Sequence, residues 1–296
     1  MRLHFEEVRK NKIKSIFLIS FFIILIGVLG GVFGLMYDNL FFGLVFSMIT
    51  ALIYSLIVYR QGNKMILGMS GAREVKKKEF PHLFHTVEGL ALAAGISVPK
   101  SYIIEDTALN AFATGKDPEH AAIVVTTGLL NKLNRQELEG VIAHEMSHIQ
   151  NYDIRFMMLT VVLVGVVTLI SDFILRSFLF GRRRRDSGNG SIIIIVIGLL
   201  LAILTPIIGQ MIKFAISRKR EFMADANAAI LTRYPAGLAS ALKKIQGDPD
   251  PLVDKANKAT AHLFISTPFR KKKSFMAKMF ATHPPIEERI KRLQEM

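Results

Sequence analysis

The stretch Val141-Ile142-Ala143-His144-Glu145-Met146-Ser147-His148-Ile149-Gln150-Asn151-Tyr152-Asp153 decides how the rest of the chain is read. Helical residues four apart lie on one face, a turn from each other, so His144 and His148 can aim two imidazole nitrogens at one metal ion. Glu145, beside the first of them, can reach a water on that ion and take its proton. The flanks read as helix. Asn134 with Glu137 three residues later forms a capping box, and Leu138, Val141, Ile142 and Ile149 supply apolar positions.

The pattern is the H-E-x-x-H of zinc peptidases. So short a pattern also arises by chance, and its context has to carry it. A catalytic zinc takes three protein ligands and leaves a position for water. The chain has no Cys, so any zinc must be held by His and carboxylates. Glu221, in Arg220-Glu221-Phe222-Met223-Ala224-Asp225, is the candidate third ligand. Asp225 shares its helical face and can accept a hydrogen bond from a ligand histidine, fixing the ring.

The bulk numbers point to a membrane. The 296 residues are 51% hydrophobic and carry a net charge of +14, an apolar share unusual for a soluble protein. The excess sits in four blocks. Residues 2–14 hold Arg2, Arg9, Lys10, Lys12 and Lys14, and residues 15–36 then carry no charge. That run can cross a bilayer. It is too long for a signal peptide, and no small-residue cleavage site follows it. After a break at residues 37–39, a second uncharged run covers 40–59, followed by Arg60, Lys64, Arg73 and Lys76, Lys77 and Lys78. Positive charge on both outer sides of this hairpin places the N-terminus and the chain after residue 59 in the cytoplasm. Beside such spans the basic surplus suits anionic lipid headgroups. It does not suit nucleic acid, because no aromatic residues interleave the basic runs.

Residues 64–155 read as soluble. A helix over 80–94 stops at Gly95. Residues 100–105 form a short strand, and 121–127 form another, ended by Gly128. Residues 156–175 and 191–212 are again long and apolar, interrupted by Asp172 and Pro206 and separated by Arg182, Arg183, Arg184 and Arg185. If both cross the bilayer, those arginines lie outside, against the charge bias. If both dip in without crossing, the bias is kept. Either way the crossings are even in number, and residues after 213 return to the side of His144. Helices are expected over 218–231, 234–246 and 286–294, with a loop at 247–251 and a lipid-facing or solvated cationic run at 270–273. The expected architecture is mainly α with a small β-sheet. Helical transmembrane hairpins carry a zincin-like cytoplasmic catalytic domain built from two separated segments. The expected divisions are 1–60 (first hairpin), 61–155 (first catalytic part), 156–213 (second hairpin) and 214–296 (second catalytic part).

Four separated motifs carry a resemblance. His144-Glu145-x-x-His148-x-x-Asn151, Asn110-Ala111-Phe112-Ala113-Thr114-Gly115, Glu221-Phe222-Met223-Ala224-Asp225 and Thr282-His283-Pro284-Pro285 together resemble the HtpX family of membrane-integrated, zinc-dependent endopeptidases, relatives of the prenyl-protein (CAAX) endopeptidases. The resemblance implies a gluzincin-type site with one Zn2+ per chain on His144, His148 and Glu221, and Glu145 as general base. It implies a stress-response role in the cytoplasmic (inner) membrane, cutting misfolded or damaged membrane proteins at cytoplasm-facing segments. By resemblance and chemistry, Asn110 and Ala111 are expected to hold substrate, with a structural turn as the rival role. His283 and Arg289 are similar in spacing to a pair that meets the developing oxyanion; packing beside Pro284 is the rival role of His283.

Two other classes compete. A membrane scaffold with a degenerate metal site would have lost Glu145 or a ligand, and all four groups are present. A zinc hydrolase of prenylated or lipid-linked substrates would need a closed intramembrane chamber, and four spans are too few to enclose one.

Overall fold

The computed structural model describes residues 2–35, 38–163, 165–167, 218–248 and 284–296. Two long helices come first, α1 (Arg2–Leu35) and α2 (Leu40–Met69), packed as a hairpin. Each is long and apolar enough to cross a membrane, over Glu6–Gly31 and Leu40–Met69. Both extend beyond the uncharged runs that mark them in the sequence. Lys, Arg, Glu and Gln are good helix formers, and nothing stops α2 until Ser70 caps it and Gly71 takes a left-handed φ of +63°. The expected boundary at residue 60 therefore falls inside α2. The two helices meet through small residues. A Cβ on Gly43 would lie 2.3 Å from the carbonyl oxygen of Gly30, a close backbone approach that only glycine permits. Phe41, Phe46 and Leu56 stay exposed on the outer surface, as expected of side chains facing lipid.

A mixed four-stranded sheet follows, built from β1 (Arg73–Glu74), β2 (Lys100–Ile104), β3 (Ala111–Thr114) and β4 (Ala122–Thr126) in the order β1-β2-β4-β3. β2 and β4 are parallel, while β1 and β3 pair antiparallel with their neighbours. Both faces are covered. Ile103, Ala113, Ile123 and Val125 pack into a core with Leu83 and Val87 of α3 (Pro81–Ala94). Ile104, Phe112, Ala122 and Val124 pack the other way, against Leu18 of α1 and Val58 of α2. Alternate side chains of one strand point to opposite faces. The unbroken apolar run in β4 thus ties the sheet and its helices to the two long apolar helices.

β4 ends at Thr126, whose hydroxyl accepts from the Leu129 N–H and caps a short helix, α4 (Thr127–Lys132). Gly128, read from sequence as the end of the strand, belongs instead to this helix. There a Cβ would meet the Thr107 carbonyl oxygen at 2.0 Å.

The H-E-x-x-H segment lies on α5 (Arg135–Gln150). Its capping box is complete: Asn134 accepts from the Glu137 N–H, and the Glu137 carboxylate accepts from the Asn134 N–H. The chain then turns by 82° into α6 (Asp153–Val167) through Tyr152, which holds a left-handed φ of +60°. The expected boundary after residue 155 lies inside α6. Three later helices, α7 (Arg218–Thr232), α8 (Pro235–Gly247) and α9 (Ile286–Gln294), close the domain around α5. Among the described residues the architecture is mainly helical with one small sheet, as the sequence led us to expect. His283, Arg182 to Arg185, Asp172, Pro206 and the run 270–273 lie outside the described residues.

Candidate metal centre

The two helices that carry the motifs, α5 and α7, pack directly against each other. Their crossing brings His144, His148 and Glu221 together as a buried donor set. The two Nε2 atoms are 3.3 Å apart. Glu221 Oε2 lies 3.7 Å from His144 Nε2, and Oε1 lies 3.6 Å from His148 Nε2. Donors about 2.0–2.1 Å from a zinc ion at tetrahedral angles sit roughly 3.3–3.4 Å apart. The triangle is therefore already near the size a zinc ion needs.

The far side of each ring is fixed by a carboxylate. His144 Nδ1 is 2.9 Å from Asp225 Oδ1, and His148 Nδ1 is 3.0 Å from Asp153 Oδ2. A proton on Nδ1 donated to an acceptor leaves the Nε2 lone pair free for a metal. Both histidines have such an acceptor behind Nδ1.

Arg289, wholly buried on α9, grips Asp225 with two nitrogens: Nε to Oδ2 at 2.9 Å and NH2 to Oδ1 at 2.7 Å. Its third nitrogen, NH1, is 3.8 Å from Glu221 Oε2 and has no hydrogen-bond partner among the described residues. Arg220 reaches Asp153 Oδ1 at 3.0 Å. Four carboxylates (Glu145, Asp153, Glu221, Asp225) and two guanidinium groups are thus buried together, a balance that a divalent cation would neutralise.

The electrostatics follow. Burial alone would lower the pKa of His144, and Arg289 pushes the same way. The hydrogen bond to Asp225 and the nearby Glu221 carboxylate outweigh both and raise it to about 9. His148 is also raised, with burial opposed by Asp153 and Glu221. Burial would raise Asp225, yet Arg289 and His144 bring it down to about 2. The pocket is built to hold positive charge between the two rings and Glu221.

Three supporting residues escaped sequence reasoning. Asp153 lies just past the end of α5, off the helical spacing that exposes ligand pairs. Arg220 precedes Glu221 and reads as one more basic residue. Asn11, on α1, donates to Asp153 and carries no local signal at all. A carboxylate soon after the second histidine is the one signal that could have pointed to Asp153. The remaining expected site residues lie nearby in part. Asn110 and Ala111 are buried at the start of β3, and α5 packs on that strand. The Asn110 backbone is bonded both ways to Thr126, N–H to hydroxyl at 3.0 Å and carbonyl to N–H at 3.0 Å.

An H-E-x-x-H helix whose histidines meet a distant glutamate, in a domain seated on membrane-length helices, is the plan of a membrane metallopeptidase. Comparison with known proteins agrees. The Peptidase family M48 model matches residues 77–296. A "Protease HtpX homolog" of Dictyoglomus thermophilum is 52% identical over 238 residues, covering 80% of this chain and 77% of that one. Another, of Streptococcus gordonii, is 42% identical over 299 residues and 99% of both chains. The chain belongs to peptidase family M48, among its HtpX-type proteases. In fold it is similar to S. mikatae Ste24p, with a TM-score of 0.50 and 20% identity over 97% of this chain. It spans 66%, about two thirds, of that protein's length. The protein is a metalloprotease of the membrane.

Proposed function

We propose that this chain holds one zinc ion on His144, His148 and Glu221 and cuts polypeptides at segments facing the cytoplasm. The observation that carries this reading is the buried triangle of two imidazoles and one carboxylate, spaced 3.3 to 3.7 Å. Two nitrogens and one carboxylate oxygen in near-tetrahedral spacing suit Zn2+ better than the oxygen-seeking Ca2+ or Mg2+. Bound there, the ion supplies Lewis acidity, which acidifies water and polarises a carbonyl.

The chain's own groups do the rest. Glu145, next to His144 on α5, accepts the proton of the attacking water and returns it to the leaving amine. Asp225 and Asp153 hold the two rings, and Arg289 holds Asp225. His283 and Arg289 meet the charge that develops on the carbonyl oxygen. Asn110 anchors the substrate backbone at the head of β3, the end strand of the sheet, where an extended peptide adds as a further strand. A grip on main chain gives broad specificity, with some preference for apolar side chains. That suits misfolded or damaged membrane proteins as substrates and a stress-response role.

The orientation follows from charge. The N-terminus and both catalytic segments are cytoplasmic, because basic residues flank the first hairpin on both outer sides. Casein cleavage by the purified protein tests the activity. Chelation is expected to stop it and zinc to restore it. Glu145→Gln is expected to keep its zinc and to lose roughly 10²- to 10⁴-fold in rate. Full cleavage by that variant would remove Glu145 as the base.

A further inference from the structure

The ligand set has a connection to the first membrane helix that the mechanism above leaves unused. Asn11 of α1 is 0% exposed. Its side-chain nitrogen donates to Asp153 Oδ1 at 2.7 Å and to the carbonyl oxygen of Asn151 at 2.9 Å. Both partners are acceptors, which fixes how the amide must point. Its oxygen is then left buried with no hydrogen-bond partner among the described residues, an unfavourable arrangement. A leucine would fill the same space without that orphan. Packing therefore does not explain the asparagine; its two donors do.

What those donors hold is the turn behind His148. Asp153 receives the His148 ring on its other oxygen at 3.0 Å and shares Oδ1 with Arg220, the neighbour of Glu221. Asn151 is the C-cap of α5, and Tyr152 after it is held at a left-handed φ of +60°, a conformation that side-chain-bearing residues avoid. α1 grips this turn a second time: Lys12 Nζ sits 4.7 Å from the centre of the Tyr152 ring. The family model matches from residue 77 on, so Asn11 lies outside the segment it matches, while Asn151 and Asp153 lie inside it.

We propose that Asn11 is a positioning residue for the metal centre. By holding Asn151 and Asp153, it sets the imidazole of His148, and the N-terminal membrane helix thereby forms part of the zinc site. The proposal rests on the reading that His144, His148 and Glu221 hold zinc.

The test uses the full-length protein in detergent micelles. Zinc affinity is measured by competition with a chromophoric chelator, and thermal unfolding is followed with and without zinc. The variants are Asn11→Leu, Asn11→Gln, Asp153→Asn and the double variant Asn11→Leu/Asp153→Asn. Asn11→Leu is expected to weaken zinc binding about tenfold, the scale on which partners of ligand histidines act, while the zinc-stripped protein unfolds no earlier than wild type. Asn11→Gln, which keeps both donors, is expected to fall between the two. In the double variant the losses are expected not to add, because Asn11 acts through Asp153. Wild-type affinity in a folded Asn11→Leu protein overturns the proposal, and so do additive losses. An equal fall in unfolding temperature with and without zinc, or failure of both Asn11 variants to fold, assigns the residue to the fold and also overturns it. A wild-type protein that binds no zinc contradicts the site reading instead, and so the two failures are told apart.

Discussion

Asp225 accepts from His144 on one side and from two nitrogens of Arg289 on the other, all of it buried. Removing one partner of such a group leaves an uncompensated charge inside the protein. Arg289→Ala is therefore expected to cost about 3–5 kcal/mol of stability, read as a fall in unfolding temperature. Arg289→Lys is expected to rescue little of this, because an ammonium cannot grip both oxygens at once. A near-wild-type unfolding temperature for either variant would mean that Asp225 is held by other groups. At this scale the sequence was legible where chemistry follows helical spacing. His144 with His148, and Glu221 with Asp225, are four apart, and Glu145 adjoins the first ligand. Asp153 was not legible, because it reaches His148 only after the chain leaves the helix at Tyr152. Asn11 was not legible either, since its partners are 140 and 142 residues away.

The strand β3 is the element on which the proposed substrate hold depends. Asn110, at its head, is bonded to Thr126 through its backbone, which an alanine would preserve, and its side-chain oxygen accepts from the Ala111 N–H at 3.2 Å. Asn110→Ala is accordingly expected to retain zinc and folding while losing about 1–3 kcal/mol in kcat/KM, the cost of a buried polar group left unpaired. Steady-state kinetics beside a thermal melt separate this from a turn-fixing role, which would lower both. Unchanged cleavage in a folded variant would remove Asn110 from the substrate site. Among the elements, the capped helix α5 and the β-branched β4 were readable from local pattern. β3, Ala-Phe-Ala-Thr, carries no β-branched run, and β1 has only two residues. Both exist because the neighbouring strands offer them partners, a tertiary cause that no local signal announces. The N-terminal part of α1 and the C-terminal part of α2 lie beyond the uncharged runs, because charge ends an apolar run without ending a helix.

Across the whole molecule, His144 and Glu221 belong to segments separated by the second apolar pair, yet they lie 3.7 Å apart. If the two segments share one metal as proposed, they lie on one side of the bilayer, and the proposal therefore requires an even number of crossings between them. The absence of native cysteine makes this simple to test. Cysteines placed at the exposed positions Lys78 and Lys243 are expected to resist a membrane-impermeant thiol reagent in intact cells, while one at Asp38, at the tip of the first hairpin, is expected to react. Labelling of only one of the first pair would set the two catalytic segments on opposite sides. Whether two distant stretches of chain make one zinc site is tested most directly by zinc analysis of the purified protein. We expect about one zinc per chain in the wild type, and its loss in both His148→Ala and Glu221→Ala. Full occupancy in either variant would contradict the site.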